Sequence, residues 1–270
     1  MNDITLIYYT DHTLESEFEK RCQEELIKAA QGKRIISISQ KPMTFGDNIC
    51  LGEIGRSHLS LFKQALAGVK EAKTKYVAMV EHDCMYTPEH FEWIPPDDKV
   101  FWYNINHWFV QLETGVYSYQ RRKPMSQLIC TREMFIPAVE EKILMLETGF
   151  EIRKGQPGAC EPGVCDKRDA FISAKEKWLN SQIISGEPGV STNHIKELQI
   201  KWDKEHGQIS PEMKDVGKES KWRARGFATV LPNLDIRHGN NFSGGRKTSK
   251  TELTLPYWGN FKEYYDRNIK

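Results

Sequence analysis

The stretch YVAMVEHD at residues 76–83 decides the fold of this 270-residue chain and the place of its functional site. Its apolar first part contains no glycine or proline and predicts a buried strand, which delivers Glu81 and Asp83 to one edge of a sheet. Side chains two positions apart in an extended chain lie on one face, so these carboxylates can converge on one cation or one polar ligand. Two solvated carboxylates at a turn are the alternative interpretation.

Strand and helix patterns alternate in the residues that precede this stretch. Thr13 offers an N-cap to the first helix, and Gly32 ends that helix. The predicted order is a strand over residues 4–10, a helix over 13–32, a strand over 34–39, a loop over 41–53 and a helix over 55–72. This β-α-β-α-β order predicts a doubly wound, mostly parallel sheet. Ligands of such sheets bind beyond the carboxyl ends of the strands, where Asp11 and the acidic triplet at 81–83 both lie.

The pattern changes after Pro88 and favours shorter, more antiparallel strands. The predicted elements are a strand over 99–105, a hairpin over 109–119, a strand over 127–130, a helix over 132–146 capped by Thr131, and a short strand over 234–236. Residues 155–166 are rich in glycine and proline and predict a loop, whereas residues 201–225 are rich in lysine. We expect one domain over residues 1–270, composed of a first half at 1–95, a second half at 96–200, and a basic tail with a closing loop at 201–270.

The composition excludes several classes of protein. A hydrophobic fraction of 39% suffices for a full core, and a net charge of +1 is unlike that of a protein that coats nucleic acid. The six cysteines form no CxxC pair, which indicates free thiols in a reducing compartment rather than a disulfide scaffold. No apolar run reaches the roughly 18 residues of a membrane span, and the start MND does not resemble a signal peptide. These features predict a cytoplasmic protein that does not engage a membrane.

The segment GEIGRS at residues 52–57, the helix behind it, the apolar strand and the triplet at 81–83 form one ordered block. This block resembles the nucleotide-sugar-binding half of GT-A-fold glycosyltransferases, in particular the large inverting family whose acidic triplet reads DxD. The resemblance covers residues 3–92. It implies an α/β fold of the GT-A type, with a Rossmann-like, mostly parallel sheet, an antiparallel second half and a polar C-terminal tail. It also implies a nucleotide-sugar donor of the UDP type and a divalent cofactor, Mn²⁺ or Mg²⁺.

The resemblance further implies roles for single residues. Asp83 is the expected metal ligand, whereas Glu81 stands where the family has aspartate, so its contact with ribose, metal or neither stays open. The first strand ends on Tyr9, Thr10 and Asp11, where the family places an acidic residue near the nucleotide base. His238 follows a short strand and corresponds to a late metal-binding histidine of the family. A surface or core histidine is the alternative interpretation.

Transfer of a sugar from a nucleotide leaves negative charge on the diphosphate, which a metal ion, arginines and helix-start amides can stabilise. Arg56 and Arg246 are the expected arginines, although the GGRK run that holds Arg246 also fits a solvated turn. An inverting enzyme also needs a base for the acceptor hydroxyl. In the loop at 155–166, Glu161 is the first candidate and Asp166 the second, with a plain surface loop as the alternative.

The acceptor is predicted from basic and aromatic clusters. Basic residues gather at 121–123, within 214–225 and at 246–250, which fits either a face that meets a polyanion or a solvated lysine-rich surface. The aromatic group within 102–108 fits stacking against sugars or bases, or a place in the core.

The segments AKTKYVAMVEHD and LDIRHGNN are similar to phage-encoded glycosyltransferases that modify hydroxymethylated pyrimidines in DNA. This similarity implies DNA as the partner, a base that is flipped out of the duplex, and the host cytoplasm as the location. Transfer to a cell-envelope saccharide or a lipid-linked glycan is the alternative activity. A nucleotide- or DNA-binding module without catalytic activity is the alternative outside enzymes.

Overall fold

The computed structural model describes residues 4–119, 123–147, 223–239, 251–252 and 254–268, which form a mixed α/β fold. In chain order, the first half contains β1 (Ile4–Tyr9), α1 (Ser16–Ala30), β2 (Ile35–Ser39), β3 (Asp47–Cys50), α2 (His58–Glu71), β4 (Tyr76–Glu81), β5 (Cys84–Met85) and α3 (Pro88–Glu92). The second half contains β6 (Val100–Asn104), β7 (His107–Gln111), β8 (Tyr117–Tyr119), a 3-10 turn (Met125–Gln127), β9 (Leu128–Thr131), α4 (Arg132–Glu147), β10 (Arg223–Phe227), β11 (Asn233–Arg237), β12 (Thr251–Glu252) and α5 (Phe261–Asn268).

The larger sheet has seven strands in the order β10-β6-β9-β4-β1-β2-β3. Its neighbours are parallel except at β9, which runs antiparallel to both β4 and β6. The central strands β1 and β4 are apolar and almost wholly buried, and Tyr9 pairs with Glu81 in register. Their carboxyl ends therefore meet at one edge of the sheet. The mostly parallel α/β architecture predicted from the sequence is confirmed.

The smaller sheet has five strands in the order β12-β8-β7-β11-β5 and supplies the antiparallel part of the second half. Strand β11 runs parallel to β7 and antiparallel to β5, the two-residue strand that follows the triplet. The amide of Ile236 also donates to the carbonyl of Asp83 at 2.8 Å. The smaller sheet thus fastens the end of β11 to the edge at which β4 ends.

Helices cover both faces of the larger sheet because β1 carries apolar residues on both of its faces. Ile7 and Tyr9 pack with α2 and α4 on one side, and Leu6 and Tyr8 pack with α1 on the other. Helix α2 approaches the sheet closely at Gly68, where an added Cβ would lie 2.5 Å from Ile7 Cγ2. A side chain at this position is excluded by the sheet.

The ends of two helices test the capping predictions. Helix α1 begins at Ser16 and its N-cap residue is Glu15, so Thr13 lies before the helix, where its hydroxyl donates to Asp11 Oδ1 at 2.6 Å. The capping of α4 is as predicted, since Thr131 Oγ1 accepts from the amide of Met134 at 3.3 Å. The prediction that Thr13 caps α1 is wrong, because the helix begins later in the chain.

Four strands and two helices of the described ranges lie where the sequence predicted none: β3, β5, β10, β12, α3 and α5. β3 falls inside the predicted loop at 41–53, and β10 falls at the end of the lysine-rich segment. Both are edge strands of the larger sheet with exposed polar residues, so they lack the apolar pattern that marks a buried strand. The other predicted strands and helices of the described ranges are confirmed to within a few residues at each end.

The aromatic group within 102–108 is mostly part of the core. Trp102, Tyr103 and His107 are buried, and Trp108 is partly buried. The core interpretation of this group is therefore the correct one for its first three members. Among the helices of the described ranges, none combines the length and the apolar character that crossing a membrane requires.

Candidate metal and nucleotide site

Polar side chains from three strands meet at the carboxyl edge of the larger sheet. Asp11 lies two residues after β1, the triplet at 81–83 begins with the last residue of β4, and His238 follows directly on β11. The first two are neighbours through the β1–β4 pairing, and the third arrives through the β11–β5 pairing. In doubly wound sheets this edge is where ligands bind.

Asp83 and His238 lie side by side although they are far apart in the chain. The distance from His238 Nε2 to Asp83 Oδ2 is 3.6 Å, and the two side chains are only 7% and 11% exposed. Their proximity follows from the hydrogen bond between the Ile236 amide and the Asp83 carbonyl, because His238 comes two residues after Ile236. The structure brings together the two residues predicted as metal ligands.

The charge state of Asp83 suits a cation ligand. Burial alone would raise the pKa of its carboxyl group, but the neighbouring imidazoles of His238 and His82 lower that pKa. The carboxyl group of nearby Asp235 behaves in the opposite way: burial raises its pKa to about 8, although Arg237 Nη2 lies 3.2 Å from Asp235 Oδ2 and opposes the shift. Near neutral pH, Asp83 is therefore ionised and Asp235 carries a proton.

Asp11 forms the second anionic group of the edge. Its Oδ2 lies 2.6 Å from Nε of Arg56, and its Oδ1 accepts from the hydroxyl and the amide of Thr13 at 2.6 and 3.2 Å. Burial would raise the pKa of Asp11, but these hydrogen bonds, together with the charges of His82 and Arg56, lower it. Asp11 is therefore an ionised acceptor at neutral pH.

Arg56 lies two residues before α2. The side chain of Gln40, which follows β2, holds the loop that carries Arg56. Gln40 donates to the carbonyl of Gly55 at 2.7 Å and accepts from the amide of Ile54 at 3.0 Å. Ser57 then caps the helix by accepting from the amide of Ser60 at 3.1 Å. The positive end of the α2 dipole and the Arg56 guanidinium consequently face the same edge, an arrangement that favours anions.

Tyr9, Thr10 and Glu81 were predicted to contact the nucleotide, and the structure gives each a partner within the protein. The hydroxyl of Tyr9 donates to Glu81 Oε1 at 2.9 Å, and the Thr10 hydroxyl donates to Glu19 at 3.2 Å. Tyr9 and Thr10 are buried, whereas Glu81 is partly exposed. These contacts hold Tyr9, Thr10 and Glu81 in place at the edge of the sheet next to Asp83. The role of these three residues in nucleotide binding stays a prediction.

His82 is the residue of the edge that sequence reasoning missed. Strand β4 ends at Glu81, and His82 and Asp83 form a turn. The alternation of side chains between the two faces, which the sequence analysis assumed up to Asp83, therefore ends at Glu81. One ligand atom each from His82, Asp83 and His238 lie within 4.8 Å of one another, as do those of a second group, Glu81, Asp83 and Cys84. The sequence feature that could have indicated this role is the position of His82 between two acidic residues.

The donor set of the edge fits a divalent cation. It combines carboxylate oxygens with imidazole nitrogens, which are ligands of Mn²⁺ and other first-row metals. His82 Nε2 is buried and makes no hydrogen bond within the part of the chain that the structure describes. A buried nitrogen in this state is suited to accept a metal ion.

Three other predicted site residues lie outside the described residues. They are the candidate bases Glu161 and Asp166 and the candidate phosphate ligand Arg246. The basic residues at 121–122, 214–222 and 246–250 also lie outside these ranges.

Comparisons with known proteins give a distant structural neighbour. No protein-family model matches the chain, and no curated protein is similar to it. Among solved structures, the chain is similar to a glycosyltransferase involved in the glycosylation of the major capsid of PBCV-1. The two share 9% sequence identity over 54% of this chain and 68% of that chain, with a TM-score of 0.34.

Proposed function

We propose that this protein is a metal-dependent glycosyltransferase, which moves a sugar from a nucleoside diphosphate to a hydroxyl group. The observation that carries the proposal is the meeting of Asp83 and His238 at 3.6 Å, on the same edge as the Asp11–Arg56 pair. One part of this edge suits a divalent cation, and the other suits a nucleotide. A nucleoside diphosphate bound to its metal ion requires both.

The leaving group defines what the edge must do. Breakage of the bond between the anomeric carbon and the diphosphate leaves both bonding electrons, and thus negative charge, on the phosphate oxygen. A divalent ion held by Asp83 and His238 supplies a Lewis acid for this charge. Arg56 and the amides at the start of α2 add positive charge on the neighbouring side of the edge.

Asp11 supplies a hydrogen-bond acceptor for the base of the nucleotide. An ionised carboxylate binds an N–H group of the base, and uracil presents such a group, which supports UDP as the nucleotide. Arg56 and Thr13 hold the Asp11 side chain, so its orientation is set before a ligand arrives.

The acceptor hydroxyl must lose its proton as its oxygen bonds to the anomeric carbon. In an inverting reaction a carboxylate takes this proton, and Glu161 or Asp166 is the proposed base. The acceptor proposed here is a hydroxymethylated pyrimidine in DNA. Arg225, exposed on the edge strand β10, belongs to the basic segment that supports this acceptor. A saccharide of the cell envelope is the alternative acceptor.

Calorimetric titration of UDP with and without Mn²⁺ tests the donor half of the proposal, namely that the protein binds a nucleoside diphosphate together with a metal ion. We expect UDP to bind only with the metal, and we expect Asp83→Asn to abolish this binding. Asp98→Asn is the matched control, because Asp98 is an exposed carboxylate that pairs with Lys75 at 2.6 Å on the surface. Binding of UDP that is indifferent both to Mn²⁺ and to Asp83→Asn would contradict the proposal.

Incubation with DNA and a panel of UDP-sugars tests the acceptor. We expect a gain in mass on DNA that contains hydroxymethylated pyrimidines, and none on unmodified DNA of the same sequence. Transfer to a saccharide acceptor, with no transfer to either DNA, would favour the alternative acceptor and leave the donor half of the proposal intact.

A further inference from the structure

The imidazole of His82 lies close to the pair formed by Asp83 and His238. One of its ring nitrogens, the Asp83 carboxylate and the His238 imidazole offer ligand atoms that all lie within 4.8 Å of one another. We infer that His82 is a third protein ligand of the divalent ion, so that the site takes a cation that accepts imidazole nitrogen, such as Mn²⁺ or Co²⁺, in preference to Mg²⁺. The inference rests on the proposed function only for the presence of the ion at Asp83 and His238.

The backbone fixes all three ligands independently of the metal. His82 follows directly on β4, Asp83 is held by the Ile236 amide, and His238 follows directly on β11. Three donor atoms bound to one ion at about 2.1 Å lie about 3–3.6 Å apart, so closure from 4.8 Å requires each donor atom to move by about 1 Å. Side-chain rotations without movement of the strands suffice for such a shift.

A structural role for His82 as the partner of Asp11 explains its position less well. His82 Nε2 lies 3.7 Å from Asp11 Oδ1, which is beyond the range of a hydrogen bond. That oxygen already accepts two hydrogen bonds from Thr13, and the other oxygen of Asp11 contacts Arg56. Asp11 is thus supplied with partners, while the buried His82 Nε2 has no hydrogen-bond partner within the described ranges.

The donor set then determines the class of cation. Mg²⁺ prefers oxygen ligands and retains several waters, whereas imidazole nitrogens favour first-row transition metals. Two imidazoles and one carboxylate therefore favour Co²⁺ over Mn²⁺, and both over Mg²⁺. A site with Asp83 and His238 alone has one imidazole fewer and discriminates less between these ions. The rank of affinities for the metals alone is thus a first consequence of the inference.

Mn²⁺ alone, bound to the full chain without nucleotide, is the probe for the test. Electron spin echo envelope modulation detects the nitrogen nuclei of imidazoles bound to Mn²⁺, and we expect the signal of two imidazoles in the wild type. His82→Ala and His82→Gln should each reduce this signal to that of one imidazole and weaken Mn²⁺ binding by about tenfold or more. His82→Gln retains most of the side-chain volume, and circular dichroism and thermal melting establish that both variants are folded.

The control is His12→Asn, which removes another partly buried histidine of the same edge. His12 has a positive φ of 56°, a conformation that asparagine tolerates, and it belongs to neither group of potential metal ligands found in the described residues. We expect this variant to retain both imidazole signals and the wild-type affinity for Mn²⁺.

The outcomes separate the inference from the proposed function. A wild-type signal from one imidazole that His82→Ala leaves unchanged would overturn the role of His82, while Mn²⁺-dependent binding of UDP would still support the glycosyltransferase. A wild type that binds neither Mn²⁺ nor UDP would overturn both. Equal affinities for Mg²⁺ and Mn²⁺ in the absence of nucleotide would also contradict a second imidazole ligand.

Discussion

The main-chain amide of Ile236 donates a hydrogen bond of 2.8 Å to the main-chain carbonyl of Asp83. This bond joins the turn after β4 to β11, and it determines that His238 lies beside the Asp83 carboxylate. A metal site that depends on such a junction is sensitive to whatever holds β11 in register. Asn233, at the other end of β11, has a side chain that holds this strand against its neighbours.

Asn233 connects β11 to two neighbouring segments and is completely buried. Its Oδ1 accepts from the amide of Thr87 at 3.0 Å, and its Nδ2 donates to Gln127 Oε1 at 2.8 Å. Asn233→Ala leaves a buried amide and a buried side chain without these partners, so we expect a loss of about 2–4 kcal/mol in the free energy of unfolding. Urea denaturation measures this loss.

The same variant should weaken Mn²⁺ binding, because β11 also carries His238. Thr114→Ala is the control, since it removes a side-chain hydrogen bond at the exposed turn between β7 and β8. We expect the control to stay within about 0.5 kcal/mol of the wild type. A loss of stability in Asn233→Ala without any change in Mn²⁺ affinity would show that β11 keeps its register without this side chain.

Gly68→Ala tests the close approach of α2 to the larger sheet. Alanine favours a helix by about 1 kcal/mol over glycine, yet its Cβ would lie 2.5 Å from Ile7 Cγ2 and 3.1 Å from Ile38 Cγ1. We expect the clash to outweigh the helix propensity and to destabilise the protein by about 1–3 kcal/mol in chemical denaturation.

A second variant distinguishes the clash from a change within the helix. Ile7→Ala removes the atom that the new Cβ would meet, so the double variant Gly68→Ala, Ile7→Ala should lose less stability than the sum of the single changes. Additive losses would indicate that α2 moves away from β1 as a rigid body and that Ile7 is not the obstacle.

Local patterns predicted the elements that are buried, and they failed where a residue's place depends on a distant partner. β4 and α2 have clear apolar periodicity, and both were predicted. β5 has only two residues and exists because β11 pairs with it, so no local pattern announces that Asp83 and His238 will meet. Their pairing was available only from the resemblance to a family of glycosyltransferases.

The site also contains departures that physical reasoning explains after the fact. In an extended strand, the His82 side chain would lie on the opposite face from Glu81 and Asp83. Because β4 ends at Glu81, His82 lies in a turn instead and becomes a candidate ligand. Thr13 lies before α1, which begins at Ser16, and its hydroxyl donates to Asp11. Both departures lie at the functional edge, where local patterns in the sequence predict the structure less well.

The stability of the protein should fall between pH 7 and pH 5 because of two buried histidines. Burial lowers the pKa of His90 to about 3, with a contribution from His107, and burial lowers the pKa of His107 to about 4. Hydrogen bonding agrees with neutral rings: Asn104 Nδ2 donates to His90 Nδ1, and His107 Nδ1 donates to the Asn104 carbonyl.

The direction follows from the protons bound in each state. Below pH 6.5 the unfolded chain protonates these histidines and the folded chain does not, so the free energy of unfolding decreases as the pH falls towards 4. At pH 5 each histidine accounts for about 2 kcal/mol, or about 4 kcal/mol together. Asp235 offsets part of this loss, because its pKa of about 8 lets the folded chain bind a proton that the unfolded chain lacks between pH 8 and pH 4. Urea denaturation at a series of pH values measures the slope, and His90→Gln combined with His107→Gln should flatten it. An equally steep slope in that double variant would assign the effect to carboxyl groups instead.

Asp11→Asn should separate the nucleotide part of the edge from its metal part. The variant keeps the shape of the side chain but removes the charge that faces Arg56 at 2.6 Å, and it presents an amide donor where the base requires an acceptor. We expect UDP to bind about tenfold more weakly, a loss of about 1.4 kcal/mol in binding free energy, in calorimetry with saturating Mn²⁺.

Binding of Mn²⁺ alone should stay within twofold of the wild type, since Asp11 belongs to neither group of metal-ligating atoms found among the described residues. Asp83→Asn should instead weaken the binding of Mn²⁺ alone and, because UDP needs the metal, abolish the binding of UDP as well. If Asp11→Asn weakened Mn²⁺ as strongly as UDP, the two parts of the edge would form one site, and the nucleotide base would have to bind elsewhere.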